Sequence, residues 1–254
     1  MMFKLITYIR VFVRSFLVQS GWNYKSLISI GFCYSLLPVA KKLYKNDVVK
    51  YNQFVKRHLG FFNGHPFFTS YALGSVVRLE EELAEGKGSV EQIEKLKNAM
   101  IGPLGALGDQ IFWAVVKPAT FTAGVLGFFL IENIKLRLIF LFILGILYNS
   151  PHLYIRISGL VKGYREGFLI CKFLKIDNFR LIKNSYLVLG ITTIGLITGW
   201  IAVNQIELDP LGIIVFTASI LSAVFYKSKK SKTYFAMLVP VMIALIFGVI
   251  KNIL

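Results

Sequence analysis

Charged residues are scarce in this chain, and acidic residues are the scarcest of them. Asp, Glu, Lys and Arg make up 17 % of the 254 residues, whereas a soluble domain holds about 25 %. Hydrophobic residues reach 56 %, and the mean hydropathy is +0.64. This composition excludes a water-soluble enzyme and a disordered chain. It predicts an integral membrane protein that crosses the bilayer several times.

Cysteine and histidine are also rare. Cys33 and Cys171 lie in different regions, so we predict no disulfide framework and no metal cluster. The three histidines, at positions 58, 65 and 152, do not have the spacing of metal ligands, and GxSxG and HExxH motifs are absent. We therefore predict no catalytic residue, no metal and no cofactor. A membrane-embedded enzyme that uses His65 and Asp109 is kept as a weaker alternative.

The chain carries 29 basic residues against 13 acidic ones, which gives a net charge of +16. Such an excess suits either nucleic acid or an anionic membrane surface. In so apolar a chain, basic loops held on the cytoplasmic side account for it, so we predict no nucleic-acid partner. Lys4, Arg10 and Arg14 interrupt the first apolar run, unlike the uninterrupted core of a cleavable signal.

Residues 1–60 form a basic, amphipathic region. Its apolar residues recur at helical spacing, which predicts a helix lying in the membrane interface, with an ordinary core helix as the alternative. This apolar face consists of Phe3, Ile6, Ile9, Val13, Phe16 and Leu17. Residues 26–37 form a second apolar run that ends at Pro38, too short to cross a hydrocarbon core of about 30 Å.

Residues 61–131 form the second region. Residues 61–77 are apolar but interrupted by polar residues, Gly and Pro, which predicts a re-entrant segment, with a crossing helix as the alternative. Residues 80–97 hold six of the 13 acids, and Ser89 and Gln92 within them have the spacing of a capping box. We predict a solvated acidic helical hairpin there, which fits either a plain water-facing surface or a docking surface.

Residues 132–254 read as a scaffold of transmembrane helices. The run 138–148 stops at Asn149, Ser150 and Pro151, so it either needs flanking residues to cross or belongs to a broken helix. Together with the end of the second region, the candidate spans are 111–131, 138–148, 185–203, 211–226 and 233–250, the last with a kink at Pro240. The predicted fold is an all-α integral membrane protein, with interfacial and re-entrant helices followed by about five transmembrane helices.

The loop charges give an orientation. If residues 80–107 face the cytoplasm, the loop 204–210, which has Glu207 and Asp209 but no Lys or Arg, lies outside. The two most basic loops of the second half then both lie inside, as the positive-inside tendency requires. Their basic residues are Lys162, Arg165, Lys172, Lys175, Arg180 and Lys183, and Lys227, Lys229, Lys230 and Lys232. Lys135 and Arg137 run slightly against this orientation.

Two stretches, 61–68 and 102–113, put polar residues and helix breakers into apolar surroundings. Backbone groups freed at membrane depth cost several kcal/mol each unless protein, water or a ligand satisfies them, so such breaks mainly line cavities. The side chains of Asn63, His65, Asp109 and Gln110 suit a polyhydroxylated ligand. His65 in an interfacial turn and Asp109 as a helix N-cap are the alternatives. The predicted role of Phe62, Phe67 and Trp113 is stacking on a sugar ring, with anchoring at the membrane interface as the alternative.

Several of these motifs resemble, in order, those of the IID component of the mannose/fructose/sorbose family of the bacterial sugar phosphotransferase system. The string GPLGALGDQIFW at 102–113 is close to the family's GPLAGIGDSIFW, and FFNGHP at 61–66 is similar to its FNTHP segment. The elements WNY at 22–24, GFCYSLLP at 31–38, NSPH at 149–152 and GY at 163–164 add to the resemblance, which covers most of residues 20–170.

The resemblance implies a membrane subunit, itself non-catalytic, in the bacterial cytoplasmic (inner) membrane. A IID subunit pairs with a IIC membrane subunit in a hetero-oligomer to bind and translocate a hexose-type sugar, while phosphorylated IIB, soluble or fused as IIAB, phosphorylates it. Carried over by motif, Asn63, His65 and Asp109 are the sugar-binding candidates, with Gln110 beside them. Gln110 replaces the family's Ser and Gly64 its Thr, so the sugar stays open, as does a regulatory or assembly subunit without transport.

Overall fold

The computed structural model describes residues 5–204 and residue 242, and these residues are helical throughout apart from turns and isolated bridges. The chain divides into two compact units, residues 1–194 and residues 195–254. In chain order the helices are α1 (Leu5–Ser15), α2 (Ser29–Leu43), α3 (Val48–Leu59), α4 (Thr69–Ala84), α5 (Val90–Gly108), a π-helix (Asp109–Val116), α6 (Lys117–Leu130), α7 (Ile134–Glu166), α8 (Ile170–Phe173) and α9 (Arg180–Asn204).

The predicted amphipathic helix is α1, and its apolar face is exposed. Ile6, Ile9 and Val13 are each more than half exposed, whereas Val11 and Ser15 on the other side are buried. Within this chain the apolar face is therefore not part of a core, as an ordinary core helix would require. Its placement in the membrane interface stays a prediction.

The helix α2 continues past Pro38, where the apolar run was expected to end. Proline cannot donate to the carbonyl four residues earlier, which here belongs to Tyr34. Arg14 of α1 donates to that carbonyl through Nη1 at 3.1 Å, and its guanidinium lies 4.5 Å from the centre of the Tyr34 ring. The missing backbone bond is thus replaced from a neighbouring helix, which lets α2 run on to Leu43.

The acidic segment forms the predicted helix, turn and helix. The helix α4 ends at Ala84, Gly86 adopts a positive φ of 75°, and Ser89 and Gln92 make the predicted capping box at the start of α5. The expectation that the first helix is solvated is wrong for Glu80, whose side chain is 0 % exposed. Glu80 is buried because α3 supplies it with partners, as described below.

The predicted break at Gly102 and Pro103 is absent, and Asp109 is not a helix N-cap. The chain is helical without interruption from Val90 to Leu130. The helix instead changes its winding, from α to π over Asp109–Val116 and back to α. A π-helix bonds each N–H to the carbonyl five residues earlier, so the backbone stays helical through the change of winding.

The helix α7 also crosses its predicted stop. It runs for 33 residues through Asn149, Ser150 and Pro151, so the run 138–148 is extended by its flanks rather than broken. The carbonyl that Pro151 leaves without a backbone donor is that of Leu147. It accepts hydrogen bonds from the Tyr186 hydroxyl on α9 and from Ser150 Oγ.

Glycine brings α4 and α7 close together. A Cβ added at Gly74 would lie 2.2 Å from the carbonyl oxygen of Leu160, and one at Gly163 would lie 2.3 Å from that of Tyr71. Ser75 Oγ donates across the interface to the carbonyl of Gly163 at 3.1 Å. Small residues and hydroxyl bonds at a close helix contact are typical of packing in membranes.

In the described part of the chain, two helical stretches, Val90–Leu130 and Ile134–Phe173, are long and apolar enough to cross a membrane. The candidate span 185–203 lies within α9, and the candidates 211–226 and 233–250 lie outside the described residues, as do Pro240 and the basic loop 227–232. Residues 61–68 form a non-helical segment ahead of α4. The number of spans and the re-entrant course of 61–77 therefore stay predictions.

Candidate functional site

The two polar stretches singled out in the sequence meet in the fold. The ring of His65 stacks on Phe112 at 5.4 Å between ring centres and lies edge-on to Trp113 at 5.8 Å. It also covers Gly108, where an added Cβ would be 2.0 Å from His65 Cγ. Glycine is thus required at 108 because the imidazole occupies the space of a side chain, directly beside Asp109.

His65 is 4 % exposed and has one unsatisfied nitrogen. Its Nδ1 accepts a hydrogen bond from the backbone N–H of Phe67 at 3.4 Å. In a neutral imidazole the proton then resides on Nε2, which becomes the donor. Nε2 is buried and finds no partner among the described residues. The alternative for His65, a turn, does form, because the His65 carbonyl accepts hydrogen bonds from Phe68 and Thr69. This turn gives no hydrogen-bond partner to Nε2 of the ring.

Asp109 and Gln110 lie on the exposed side of the π-helix. Exposed pairs alternate with buried pairs from Asp109 to Thr120. The exposed residues are Asp109, Gln110, Trp113 and Ala114 of the π-helix, with Lys117 and Pro118 at the start of α6, and we call the six together the π-helix face. Asn63 is exposed as well, and within residues 5–204 the side chains of Asn63, Asp109 and Gln110 make no hydrogen bond or ion pair.

The structure therefore separates the four predicted residues into two groups. His65 is packed behind the π-helix, whereas Asn63, Asp109 and Gln110 are presented on the surface of this chain. Polar groups without partners on an apolar protein are costly to place in lipid, and they call for another protein, water or a ligand.

Of the three aromatic residues expected to stack on a ligand, only Trp113 is available. Phe62 is fully buried and packs on Phe32 at 4.3 Å. Phe67 is covered by the His152 ring at 4.5 Å and by the guanidinium of Arg156 at 5.3 Å. Trp113 is 48 % exposed, with the Lys117 ammonium 4.4 Å from its ring centre.

Two buried polar residues of α7, His152 and Arg156, adjoin this site and did not enter the predicted set. His152 stacks on Phe67 and shares a 2.8 Å hydrogen bond with Asn149 Oδ1. His152 Nδ1 and Arg156 Nε are buried and have no partner among the described residues. The sequence signal that could have found Arg156 is a basic residue inside an otherwise apolar helix.

A second charged cluster ties α3 to α4 away from this site. Arg57 donates to Glu80 from Nε at 2.6 Å and from Nη2 at 2.9 Å, and His58 Nε2 bonds Glu80 Oε1 at 2.8 Å. Burial lowers the pKa of His58 to about 4, so the imidazole is neutral at pH 7 and acts as a donor. Burial alone would raise the pKa of Glu80, but the bonds from His58 and Arg57 outweigh it and lower that pKa. These bonds hold α3 and α4 together, while the other ring nitrogen of His58, Nδ1, is buried without a partner among the described residues.

A cavity of about 520 Å³ between α6 and α7 adjoins the π-helix face. Its lining is mainly apolar, with Phe121, Val125, Leu141 and Leu144 along its walls and Lys117 at one end. Such a surface suits an acyl chain or a neighbouring helix better than a hydroxylated ligand. Residues 5–204 hold no group of three His, Cys, Asp or Glu side chains that could bind a metal ion.

The chain matches known proteins over most of its length. The sequence profile of the family described as "PTS system mannose/fructose/sorbose family IID component" matches residues 4–253. The mannose-specific EIID component of Escherichia coli K12 is 34 % identical over 76 % of this chain and 68 % of its own length. The fructose permease IID component of Bacillus subtilis is 32 % identical over 76 % of this chain and 69 % of its own.

Solved structures agree with this assignment. A chain in the cryo-electron microscopy structure of the mannose transporter ManYZ with microcin E492 matches 99 % of this chain and 96 % of its own, with 25 % identity and a TM-score of 0.61. A second structure, described as a membrane protein, matches with a TM-score of 0.66. The chain therefore belongs to the mannose/fructose/sorbose family of phosphotransferase-system IID components, membrane subunits of multi-subunit sugar transporters.

Proposed function

We propose that this IID component binds a hexose-type sugar and carries it across the cytoplasmic membrane together with a IIC subunit. A phosphorylated IIB protein then phosphorylates the sugar at the cytoplasmic side. In this proposal the IID chain binds and moves the sugar, and the phosphoryl transfer is left to IIB.

The observation that carries the proposal is the contact between His65 and the 108–113 segment. It brings the segment before α4 against the segment that carries Asp109. Among the described residues, the carboxylate of Asp109, the amides of Asn63 and Gln110 and Nε2 of His65 have no hydrogen-bond partner. A sugar offers several hydroxyls, each both donor and acceptor, and these groups match that chemistry. The exposed Trp113 supplies a ring face for the apolar side of a pyranose.

The exposure of the π-helix face supports a site shared with the IIC subunit. Asp109 and Gln110 lie at the surface of this chain, so a second protein must cover them before the site excludes water and lipid. In this proposal the IIC subunit thus completes the sugar-binding site. Closure by IIC would also shield from the bilayer the carboxylate of Asp109, which has no partner within residues 5–204.

A regulatory or assembly subunit without transport is the second candidate. Gln110 and Gly64 replace the Ser and Thr of the family pattern, and both stand beside the proposed site. If these changes abolish sugar binding, the chain would still meet IIC through the same face. A membrane-embedded enzyme is the weakest candidate, and turnover by the purified chain alone would be needed to support it.

Uptake of labelled hexoses tests the proposal. Cells that express the chain with its cognate A, B and C subunits should accumulate labelled sugar phosphate, and Asp109→Asn should reduce uptake at least about tenfold, as expected for a lost bond to a charged group. Glu94→Gln, which changes an exposed acid on α5, is the matched control and should transport normally. Normal uptake by Asp109→Asn at equal membrane levels would overturn the site. Absence of uptake for every hexose in the wild type would favour the regulatory candidate.

A further inference from the structure

The buried guanidinium of Arg156 joins the end of the amphipathic helix α1 to the candidate site. Arg156 lies on α7, is 3 % exposed, and forms no ion pair with a carboxylate of residues 5–204. A buried charge costs several kcal/mol unless its surroundings compensate it. The groups that offset the cost of burying this charge therefore indicate the role of Arg156.

The first compensating group is the C-terminal end of α1. Arg156 Nη1 donates to the carbonyl of Ser15, the last residue of α1, at 2.6 Å and to Ser15 Oγ at 3.1 Å. The Ser15 carbonyl also accepts a longer hydrogen bond from the backbone N–H of Val18, at 3.3 Å. The last carbonyls of a helix carry the negative end of its dipole, so a guanidinium at this position is stabilised both by the hydrogen bond and by the dipole.

Two aromatic rings compensate the remaining charge. The guanidinium carbon lies 4.6 Å from the centre of the Phe16 ring, just beyond α1, and 5.3 Å from that of Phe67. Phe67 in turn contacts His65 edge-on at 5.0 Å and Phe112 at 4.6 Å. On its other side it stacks on His152 at 4.5 Å.

We propose that Arg156 is a positioning residue of the sugar site: by capping α1 and holding Phe67, it keeps His65 against the π-helix beside Asp109. This inference rests on the proposed function. Arg156 does not itself contact the sugar. Its removal would release Phe67 and the end of α1 together, and the imidazole would then lose the packing that holds it on Gly108.

The chain provides a closely matched control in Arg137 of the same helix. Arg137 Nε and Nη2 donate to the carbonyl of Ile131 after the end of α6, at 2.9 and 2.7 Å, and its guanidinium lies 4.6 Å from the Phe128 ring centre. Arg137 thus makes the same two kinds of interaction at a helix end. It lies 19 residues before Arg156 on α7 (156 − 137), which is about 28 Å along the helix axis.

The test measures the affinity of the purified IIC–IID complex for a labelled hexose in a double-mutant cycle of Arg156→Leu and His65→Ala. We expect each single variant to lose about fivefold or more in affinity, and the double variant to lose little beyond His65→Ala, because both changes disable one unit. Arg137→Leu should leave the affinity unchanged. Arg156→Lys, which keeps the charge, should recover part of the loss.

The outcomes separate the two proposals. If His65→Ala binds as the wild type does, the proposed sugar site itself is wrong, and the role of Arg156 fails with it. If His65→Ala loses affinity while Arg156→Leu binds normally, or if the two losses simply add, only the positioning role is overturned. If the Arg156→Leu variant fails to assemble with IIC, Phe67→Leu tests the same link, because it leaves the bond between Arg156 and Ser15 in place. A loss of affinity that is not additive with the loss in His65→Ala supports the positioning role. Wild-type affinity of Phe67→Leu overturns that role.

Discussion

At the scale of single residues, Gly108 decides whether the two motifs can meet. A methyl group at this position would lie on the ring of His65, 2.0 Å from Cγ, and would force the imidazole away. Gly105, one turn earlier on the same helix, has nothing within 4 Å of an added Cβ and provides the matched control. Gly108→Ala should weaken hexose binding by about tenfold, as loss of the imidazole donor would. Equal sugar affinity of the two alanine variants would contradict the packing argument.

His58 and Glu80 make the stability of the fold dependent on pH. The folded pKa of His58 is about 4, below the ordinary 6.5, so the unfolded chain takes up the proton first as the pH falls. The stabilisation of the fold by neutral His58 is therefore complete above pH 6.5 and is lost as the pH falls toward 4. The lowered pKa of Glu80 also reduces the stability of the fold in acid. We expect a loss on the order of 3 kcal/mol, from 1.36 kcal/mol per pKa unit.

Thermal unfolding of the purified chain in detergent between pH 7.5 and 4.5 measures this effect. In His58→Gln the amide still donates to Glu80 but does not titrate, so the melting temperature should fall less steeply with acid. An identical pH slope in the two proteins would mean that another group is responsible.

At the scale of elements, three helices run through positions where the sequence indicates an end or a break. Pro38 and Pro151 remove backbone donors, yet the freed carbonyls of Tyr34 and Leu147 accept from Arg14 and Tyr186, which lie on other helices. Local sequence cannot reveal a donor that lies 20 or 39 residues away. The same holds for Asp109, whose predicted cap became part of a π-helix.

Local signals sufficed where the stabilising partner is also local. The capping box of Ser89 and Gln92 and the helical class of the chain follow from spacing and composition, and both are confirmed. The four site candidates rest on their chemistry and on the family motifs, and their role stays a prediction, although His65 does lie against Gly108, next to Asp109. The burial of His65 and the role of Arg156 depend on three helices packed together, so they could not be predicted from any one segment.

The contact of α4 with α7 gives a prediction at this scale. Gly74→Ala would place a methyl group 2.2 Å from the Leu160 carbonyl, so the helices must separate. We expect a loss of about 1–3 kcal/mol, seen as a lower melting temperature in detergent. Gly145→Ala on α7, where an added Cβ meets nothing within 4 Å, should not destabilise the chain. Equal melting temperatures of the two variants would show that the glycines are not required for this contact.

At the scale of the whole molecule, the orientation in the membrane is testable with introduced cysteines. The turn between α6 and α7 and the basic segment after α7 lie at opposite ends of one long helix, Ile134–Glu166. The positive-inside tendency assigns the basic end to the cytoplasm. In a background without Cys33 and Cys171, Glu132→Cys should react with an impermeant maleimide in intact cells, and Lys175→Cys only in inverted vesicles.

Labelling of both positions from the same side would contradict the crossing by α7, and the reverse pattern would invert the orientation. Cysteine at Leu5 on α1 adds a check on the interfacial prediction, because that side chain is exposed and should react slowly if lipid covers it.

Family membership shows that the chain is a subunit of a sugar transporter, and the identity of the sugar depends on the binding site. The central claim is that Asp109 and His65 act together on a hydroxyl-rich solute at a face shared with IIC. Equilibrium binding of labelled hexoses to the purified IIC–IID complex, without IIB, tests this claim most directly. We predict saturable binding to the wild type and a loss of at least about tenfold in both Asp109→Asn and His65→Ala, with assembly intact. Wild-type affinity in both variants would contradict the claim.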